Sequence, residues 1–335
     1  MRTRLTSPLA TVMLCLAAAP SLHAQEAATY DARDTLNAAA DTAPAAQAIL
    51  EAVTWEPADF TVRVTPSSTG DYAARVTFRS PMADDDDQRQ LVWMRWYAAR
   101  DGDGQLIEAP AVVVVHTLHP QMIIGSAIAR SFAQQGLHAF LLEMPGYGAR
   151  RDAGRVPGLV ALDAGAQAVA EVRRARDAVA ALPKVTDGAI ALQGTSLGGF
   201  VAAVAGALDG AFEPVLLLLA GADGFDVLRN GAADAARLRE LAHAAGHDDA
   251  ALRDMLEPMD PRHVAHRLDA RHTWLFSARD DRVVPRRNSD LLAEAIGLGD
   301  GHHVQLAGGH YTSLLLLPGL VPRMGRIIKG DVDDP

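Results

Sequence analysis

The chain has 335 residues, of which 49% are hydrophobic and only 5% aromatic, and its formal net charge is −10 at pH 7. This length and apolar content suffice for one large domain or two small ones, and they exclude wholesale disorder. The acidic balance argues against a nucleic-acid-binding protein, which normally carries a basic face.

The first 24 residues have the pattern of a secretory signal peptide. Arg2 and Arg4 precede an apolar run over residues 9–19, which is broken by Pro20 and followed by an alanine-ending cleavage site, Ser21-Leu22-His23-Ala24. The run is far shorter than the ~20 residues of a membrane span. We therefore expect cleavage after Ala24, export to the periplasm or the medium, and no stable membrane span afterwards. Cleavage would take the net charge to −12 and remove Cys15, the only cysteine, so no disulfide or cysteine nucleophile would remain.

Residues 25–55 are predicted to form a loose leader followed by a helix over 43–53. Alternating β-branched and aromatic residues then predict strands over 60–65, 72–80 and 90–98. The run Asp84–Asp87 lies between the last two of these strands. It lacks the alternating ligands of a calcium loop, so a solvated hairpin tip is the better interpretation.

Beyond residue 110, continuous apolar strands alternate with helices. We predict strands over 111–116, 137–143, 189–193, 215–220, 272–277 and 303–306, and helices over 124–135, 162–182, 197–208, 287–296 and 313–328. This alternation is typical of an α/β fold with a mostly parallel central sheet and helices on both faces. A charged, alanine-rich insertion, 222–268, follows a strand at its carboxyl end, where ligands bind such sheets. It is either a small helical lid or an ordinary pair of crossover helices.

One motif carries the predicted chemistry. Gly194-Thr195-Ser196-Leu197-Gly198 stands between a predicted strand and a predicted helix, which is the setting of a nucleophile elbow. Glycines stand two residues before and two residues after the serine, because side chains at these positions would clash with each other in so sharp a turn.

A serine hydroxyl attacks only when a base takes its proton. His310 follows the last predicted strand and two glycines, and the carboxylate that orients it is Asp281, Asp280 or Asp223. The chain order Ser…Asp…His is the one that accompanies a nucleophile elbow.

On these residues, the chain from about 60 to 330 resembles the α/β-hydrolase superfamily. The β-rich entry and modest insertion make it most similar to the dienelactone-hydrolase and acyl-esterase-like branches. The resemblance implies one hydrolase domain over 56–335, with Ser196 as nucleophile, His310 as base and then acid, and Asp281 as its orienter. Asp281 is favoured because the family's acid usually stands four residues before a proline, here Pro285; no cofactor is implied.

The resemblance also implies an oxyanion hole of two backbone N–H groups. One belongs to Leu197, the residue after the nucleophile. The other comes from Thr117 or Leu118, since His116-Thr117 stands where the family usually has His-Gly.

Substrate contacts are expected from the loops after the first two parallel strands. The candidates are His116, Tyr147, Arg150 and Arg151, and the arginines would suit an anionic acyl group unless they pair with Asp152. The pairs His116/His119 and His263/His266 lack a third ligand at a recognisable spacing, so no metal site is expected.

The favoured interpretation is a serine esterase acting on a small or medium carboxylic ester. The alternatives are a non-catalytic binding or scaffolding protein on the same fold, or a small peptidase or thioesterase. The oligomeric state and the identity of the ester are left open.

Overall fold

The structure is a computed structural model, and it describes residues 27–82 and 90–331. The predicted signal peptide, Cys15 and the Asp84–Asp87 run lie outside these residues.

A single ten-stranded sheet organises the described residues, in the spatial order β1-β2-β3-β4-β6-β5-β7-β8-β9-β10. Its strands in chain order are β1 (Ala28–Ala32), β2 (Phe60–Pro66), β3 (Ala74–Arg79), β4 (Leu91–Tyr97), β5 (Ala111–Val115), β6 (His138–Glu143), β7 (Ile190–Thr195), β8 (Phe212–Leu218), β9 (Thr273–Ala278) and β10 (His303–Leu306).

The two halves of the sheet differ in direction and in burial. The strands β1 to β4 pair antiparallel with one another, and β4 pairs antiparallel with β6. The remaining pairs, from β6 through to β10, are parallel. Every residue of β5, β6 and β7 is buried, whereas β2 alternates between exposed and buried positions. The continuous apolar runs therefore lie in a parallel sheet that helices cover on both faces.

Ten α-helices complete the described chain: α1 (Pro44–Val53), α2 (Ile123–Gln134), α3 (Pro157–Asp163), α4 (Gly165–Ala180), α5 (Leu197–Ala207), α6 (Gly224–Asn230), α7 (Asp234–Ala244), α8 (Asp249–Leu256), α9 (Arg286–Ile296) and α10 (Leu317–Lys329). Short 3₁₀ turns precede α3, follow α8 and precede α10. None of the helices in the described ranges has the length and apolarity needed to cross a membrane.

The N-terminal segment differs from the loose leader that the sequence predicts. It contributes the edge strand β1, which pairs with β2 over five residues. Beyond that strand, buried ion pairs and hydrogen bonds tie it to α4: Arg174 lies 2.7 Å from Asp34, and Thr35 bonds the Asp177 carboxylate. Five residues at a half-exposed edge carry too short an alternation to indicate a strand.

The predicted helix over 162–182 is two helices. α3 ends at Asp163 and α4 begins at Gly165, which is in contact with Met259. A side chain at Gly165 would overlap the Met259 thioether, so the glycine lets the end of the insertion pack against the start of α4.

The insertion forms a cap, which we define as residues 224–268. It contains α6, α7 and α8 and three 3₁₀ turns. A small hydrophobic cluster, separate from the main core, joins its three helices to Leu162 of α3: Phe225, Leu228, Leu238, Ala242 and Leu252. The last part of the cap packs into the main core through Met259, Val264, Ala265 and Leu268.

Candidate active site

The turn between β7 and α5 presents Ser196 in a strained backbone conformation. Ser196 has φ 53° and ψ −120°, where non-glycine residues are uncommon. A Cβ on Gly194 would collide with the Gly198 carbonyl, and one on Gly198 would collide with the carbonyls of Val115 and His116. The glycine spacing in the sequence therefore has the steric cause that the motif predicts.

Three side chains from separate loops meet at the carboxyl edge of the sheet. Ser196 Oγ lies 3.1 Å from His310 Nε2, and His310 Nδ1 lies 2.7 Å from Asp281 Oδ2. The other carboxylate oxygen, Asp281 Oδ1, accepts N–H bonds from Val283 and Val284 at 2.8 and 2.9 Å. The acid is therefore fixed by its own loop, and the imidazole is held with one nitrogen towards the serine. A hydroxyl, an imidazole and a carboxylate that are hydrogen-bonded in this order have the geometry of general-base activation.

The two alternative acids lie elsewhere. Asp280 is exposed and does not bond His310. Asp223 caps α6 by accepting the Asp226 N–H, and its other oxygen lies 2.9 Å from Arg262 Nη1. Of the three candidates, the structure brings only Asp281 to the imidazole.

The backbone groups predicted for the oxyanion hole lie around the serine. Leu197, Thr117 and Leu118 line the same pocket as Ser196. Within the described ranges, no hydrogen bond engages the Leu197 N–H at the start of α5 or the N–H groups of Thr117 and Leu118. These N–H groups are thus free to bind an oxygen, and both candidates for the second donor stay open.

A cavity of about 340 Å³ opens beside Ser196 and His310. Part of its lining comes from the sheet loops and from α2, α3 and α5. The rest comes from the cap: Gly224, Val227, Leu228, Asp234, Ala235, Leu238, Leu256 and Met259. Most of the lining is aliphatic. Such a cavity suits an apolar group placed next to a reactive carbonyl.

Two predicted substrate contacts are wrong because the side chains are buried beneath the pocket. His116 is fully buried, and its Nε2 accepts the Met144 N–H at 3.3 Å while Nδ1 lies 2.6 Å from the Thr117 carbonyl oxygen. Burial lowers the pKa of His116 to about 4, which keeps the ring neutral. Tyr147 is also fully buried, packs on the His116 ring and donates its hydroxyl to the Leu118 carbonyl at 2.9 Å; burial raises its pKa. Both residues hold the 117–118 loop in place.

The expectation for the two arginines is corrected as well. Arg150 is buried and makes a bidentate pair with Glu171, with Nη2 at 2.8 Å from Oε1. A guanidinium enclosed in that way has no access to substrate. Arg151 is exposed but does not line the pocket.

A group of three potential metal ligands lies at the base of the cap: Glu257, Asp260 and His263. Arg262 lies among them, 3.2 Å from Asp260 Oδ2, and Asp260 also accepts the N–H groups of Asp223 and Gly224. These bonds give the carboxylate a structural use in fastening α6. The His263/His266 pair does not converge, since His266 bonds Asp41 instead.

Some pocket residues were not predicted from the sequence. Phe200, Val227 and Leu238 have ordinary core character, and Asp234 and Tyr311 carry no motif. The one available signal was the position of Tyr311 next to His310.

Several solved structures are similar to this chain. An acetyl xylan esterase from Paenibacillus sp. R4 aligns over 88% of this chain and 96% of its own, with a TM-score of 0.59 and 15% identity. The α/β hydrolase GrgF from Penicillium sp. sh18 aligns over 81% and 98%, with a TM-score of 0.55 and 15% identity. A 2,6-dihydroxy-pseudo-oxynicotine hydrolase aligns over 76% and 69%, also with a TM-score of 0.55 and 15% identity. No family model and no curated protein matches the sequence. At such low identity, the likeness extends to the fold alone.

Proposed function

Because the chain has the α/β-hydrolase fold, we propose that it is a serine hydrolase that cleaves carboxylic esters through an acyl-enzyme. The observation that carries this proposal is the chain of hydrogen bonds from Ser196 through His310 to Asp281, at 3.1 and 2.7 Å, beside an apolar cavity.

In the proposed reaction, Ser196 Oγ attacks the ester carbonyl while His310 Nε2 takes its proton. Asp281 stabilises the imidazolium that forms and keeps the ring oriented. The N–H of Leu197, with that of Thr117 or Leu118, binds the oxyanion. His310 then protonates the leaving alcohol, and a water molecule activated by the same imidazole releases the acid.

A fluorophosphonate probe tests the proposal directly. We expect one equivalent of probe to label the protein and a panel of neutral esters to be hydrolysed, with both signals lost in Ser196→Ala. Ser289→Ala is the matched control, because Ser289 is a buried serine that donates its hydroxyl to the Ala220 carbonyl and does not line the pocket. Equal labelling of Ser196→Ala, or absence of labelling in the wild type, would refute a serine hydrolase and favour a non-catalytic binding protein on this fold.

The same chemistry also cleaves amides and thioesters, so a peptidase or thioesterase is the second candidate. Esters are favoured because the lining is mostly aliphatic, whereas a peptide needs polar partners for its N–H and C=O groups. Parallel assays on an ester, a thioester and an amide with the same acyl group distinguish these activities.

Export is proposed on residues 1–24 alone, whose charged start, short apolar run and alanine at the end, Ala24, fit a signal peptide. Expression of the full chain in a bacterium, followed by N-terminal sequencing of the periplasmic and secreted fractions, should find Gln25 first. An uncleaved chain that stays in the cytoplasm would contradict it.

A further inference from the structure

Among the described residues, one pocket-lining side chain bears a fixed charge. Asp234 lines the cavity and is exposed, so it lies at the cavity's mouth, and no lysine or arginine lines the same cavity. No salt bridge engages its carboxylate within the described ranges. This charge belongs to the cap, at the first residue of α7.

The backbone before Asp234 is anchored to the loop that carries Asp281. Ala232 donates its N–H to the Arg282 carbonyl at 2.6 Å, and Gly231 packs so closely on the Val283 carbonyl that a Cβ would overlap it. Ala233 then takes φ 49° and ψ −113°, almost the dihedral angles of Ser196. A strained alanine persists only where its surroundings fix it, so the position of Asp234 is determined by the fold rather than by a mobile loop.

Tyr311 lies on the other side of the mouth, directly after His310. It lines the cavity and is 49% exposed. Burial of its hydroxyl, followed by a hydrogen bond to the Asp234 carboxylate, raises the pKa of Tyr311 to about 12. The phenol therefore stays protonated and neutral near Asp234, and it leaves the negative charge of the mouth uncompensated.

We infer that Asp234 is a specificity-determining residue: the pocket takes esters whose acyl group is apolar, it accepts an ammonium at the outer end of that group, and it rejects a carboxylate there. The inference rests on the proposed function. A carboxylate entering an apolar cavity would lose hydration and meet a like charge at short range, and both effects oppose binding. An ammonium loses hydration too but gains an opposite charge. This preference for a cationic group is the reverse of the preference for an anionic acyl group that Arg150 and Arg151 suggested in the sequence.

The test compares three methyl esters of equal acyl length: methyl hexanoate, monomethyl adipate and methyl 6-aminohexanoate. The ratio of kcat/KM for the ammonium ester to that for the carboxylate ester isolates the charge effect, because both groups must be desolvated. We expect a ratio of at least ~10 in the wild type, carried mainly by KM. Assays at pH 8 avoid the range in which imidazoles ordinarily titrate.

Asp234→Asn should reduce that ratio to about threefold or less, and Asp234→Lys should invert it, while methyl hexanoate changes little in either variant. Glu240→Gln is the matched control, since it removes an exposed carboxylate from the same helix outside the pocket and should leave the ratio unchanged. A wild-type ratio near one, or a ratio in Asp234→Asn equal to that of the wild type, overturns the inference. Hydrolysis of methyl hexanoate in the same experiment still upholds the proposed function. Loss of all three activities together with absent probe labelling overturns both.

Discussion

The parallel half of the sheet and the cap meet at one cavity but are built differently. The strands around Ser196, β5, β6 and β7, are buried at every residue, and their core is continuous with that of the whole sheet. The three helices of the cap, α6 to α8, share a separate cluster of only a few buried side chains and carry many exposed ones, whereas the last part of the cap packs into the main core through Met259, Val264, Ala265 and Leu268. The side chains of Ser196, His310 and Asp281 are therefore held by the well-buried sheet. Part of the pocket lining is held by the more weakly packed cap. We expect variants of the first region to change kcat and global stability, and variants of the second to change KM.

The largest effect is expected at the proposed triad. Asp281→Asn and His310→Ala should each lower kcat/KM by about 10⁴-fold, because Asn leaves the imidazole in the wrong tautomer to take the serine proton and Ala removes the base. The double variant should be little worse than the single ones, since the residues act as one unit. Steady-state kinetics with urea unfolding as a control tests this, and additive losses would show that the two residues act separately.

A matched pair of leucines tests the difference in stability. Leu141 of β6 and Leu252 of α8 are almost completely buried, the first in the main core and the second in the cap cluster. Leu141→Ala should lower the free energy of unfolding by about 2–5 kcal/mol. Leu252→Ala should cost less globally, raise KM severalfold, and speed amide exchange within residues 224–256, because α6 to α8 share a separate small cluster and can open without the sheet.

Urea denaturation and hydrogen exchange measure the two effects side by side. An equal global loss for both leucines, with exchange in the cap unchanged, would mean that cap and sheet unfold as one unit.

The sheet region should also show its own dependence on pH. Burial lowers the pKa of His116 to about 4 from an ordinary 6.5. Between these values the unfolded chain takes up a proton that the folded protein does not, so stability falls as the pH drops from about 6.5 to 4. The shift corresponds to about 3 kcal/mol over that range.

His116→Gln provides the comparison, because its neutral amide can still accept the Met144 N–H. The wild type should be the more stable protein at pH 7.5, and its advantage should shrink towards pH 4.5. His138, whose pKa burial also lowers, is present in both proteins and cancels from the difference. A stability difference that does not change with pH would show that His116 takes up its proton equally in both states.

The same contrast explains which features the sequence predicted. The α/β-hydrolase fold is confirmed, because buried parallel strands leave long apolar runs and because the elbow requires glycines at two fixed positions. Ser196, His310 and Asp281 each follow a different strand at the same edge of the sheet, so the topology brings them near each other. The burial of Tyr147 and Arg150 could not be predicted, because it depends on partners, Leu118 and Glu171, that are distant in sequence. The cap residues that line the pocket could not be predicted either, since alanine-rich helices carry no motif.

The smallest effect is expected at Asp223, an alternative acid in the sequence, which lies directly before the cap. In the structure it caps α6 and pairs with Arg262, and both side chains are about one-third exposed. Asparagine caps helices as well as aspartate does and tolerates the left-handed conformation of this position, so Asp223→Asn loses only a screened ion pair. We expect a change of no more than ~1 kcal/mol in stability, a KM change below about threefold and an unaltered kcat. The same Asp-to-Asn change at 281 should cost about 10⁴-fold in kcat/KM, so one assay compares the two carboxylates with identical chemistry. A large loss of kcat in Asp223→Asn, with Asp281→Asn still active, would identify Asp223 instead of Asp281 as the acid of the proposed triad and would contradict the division between the sheet and the cap.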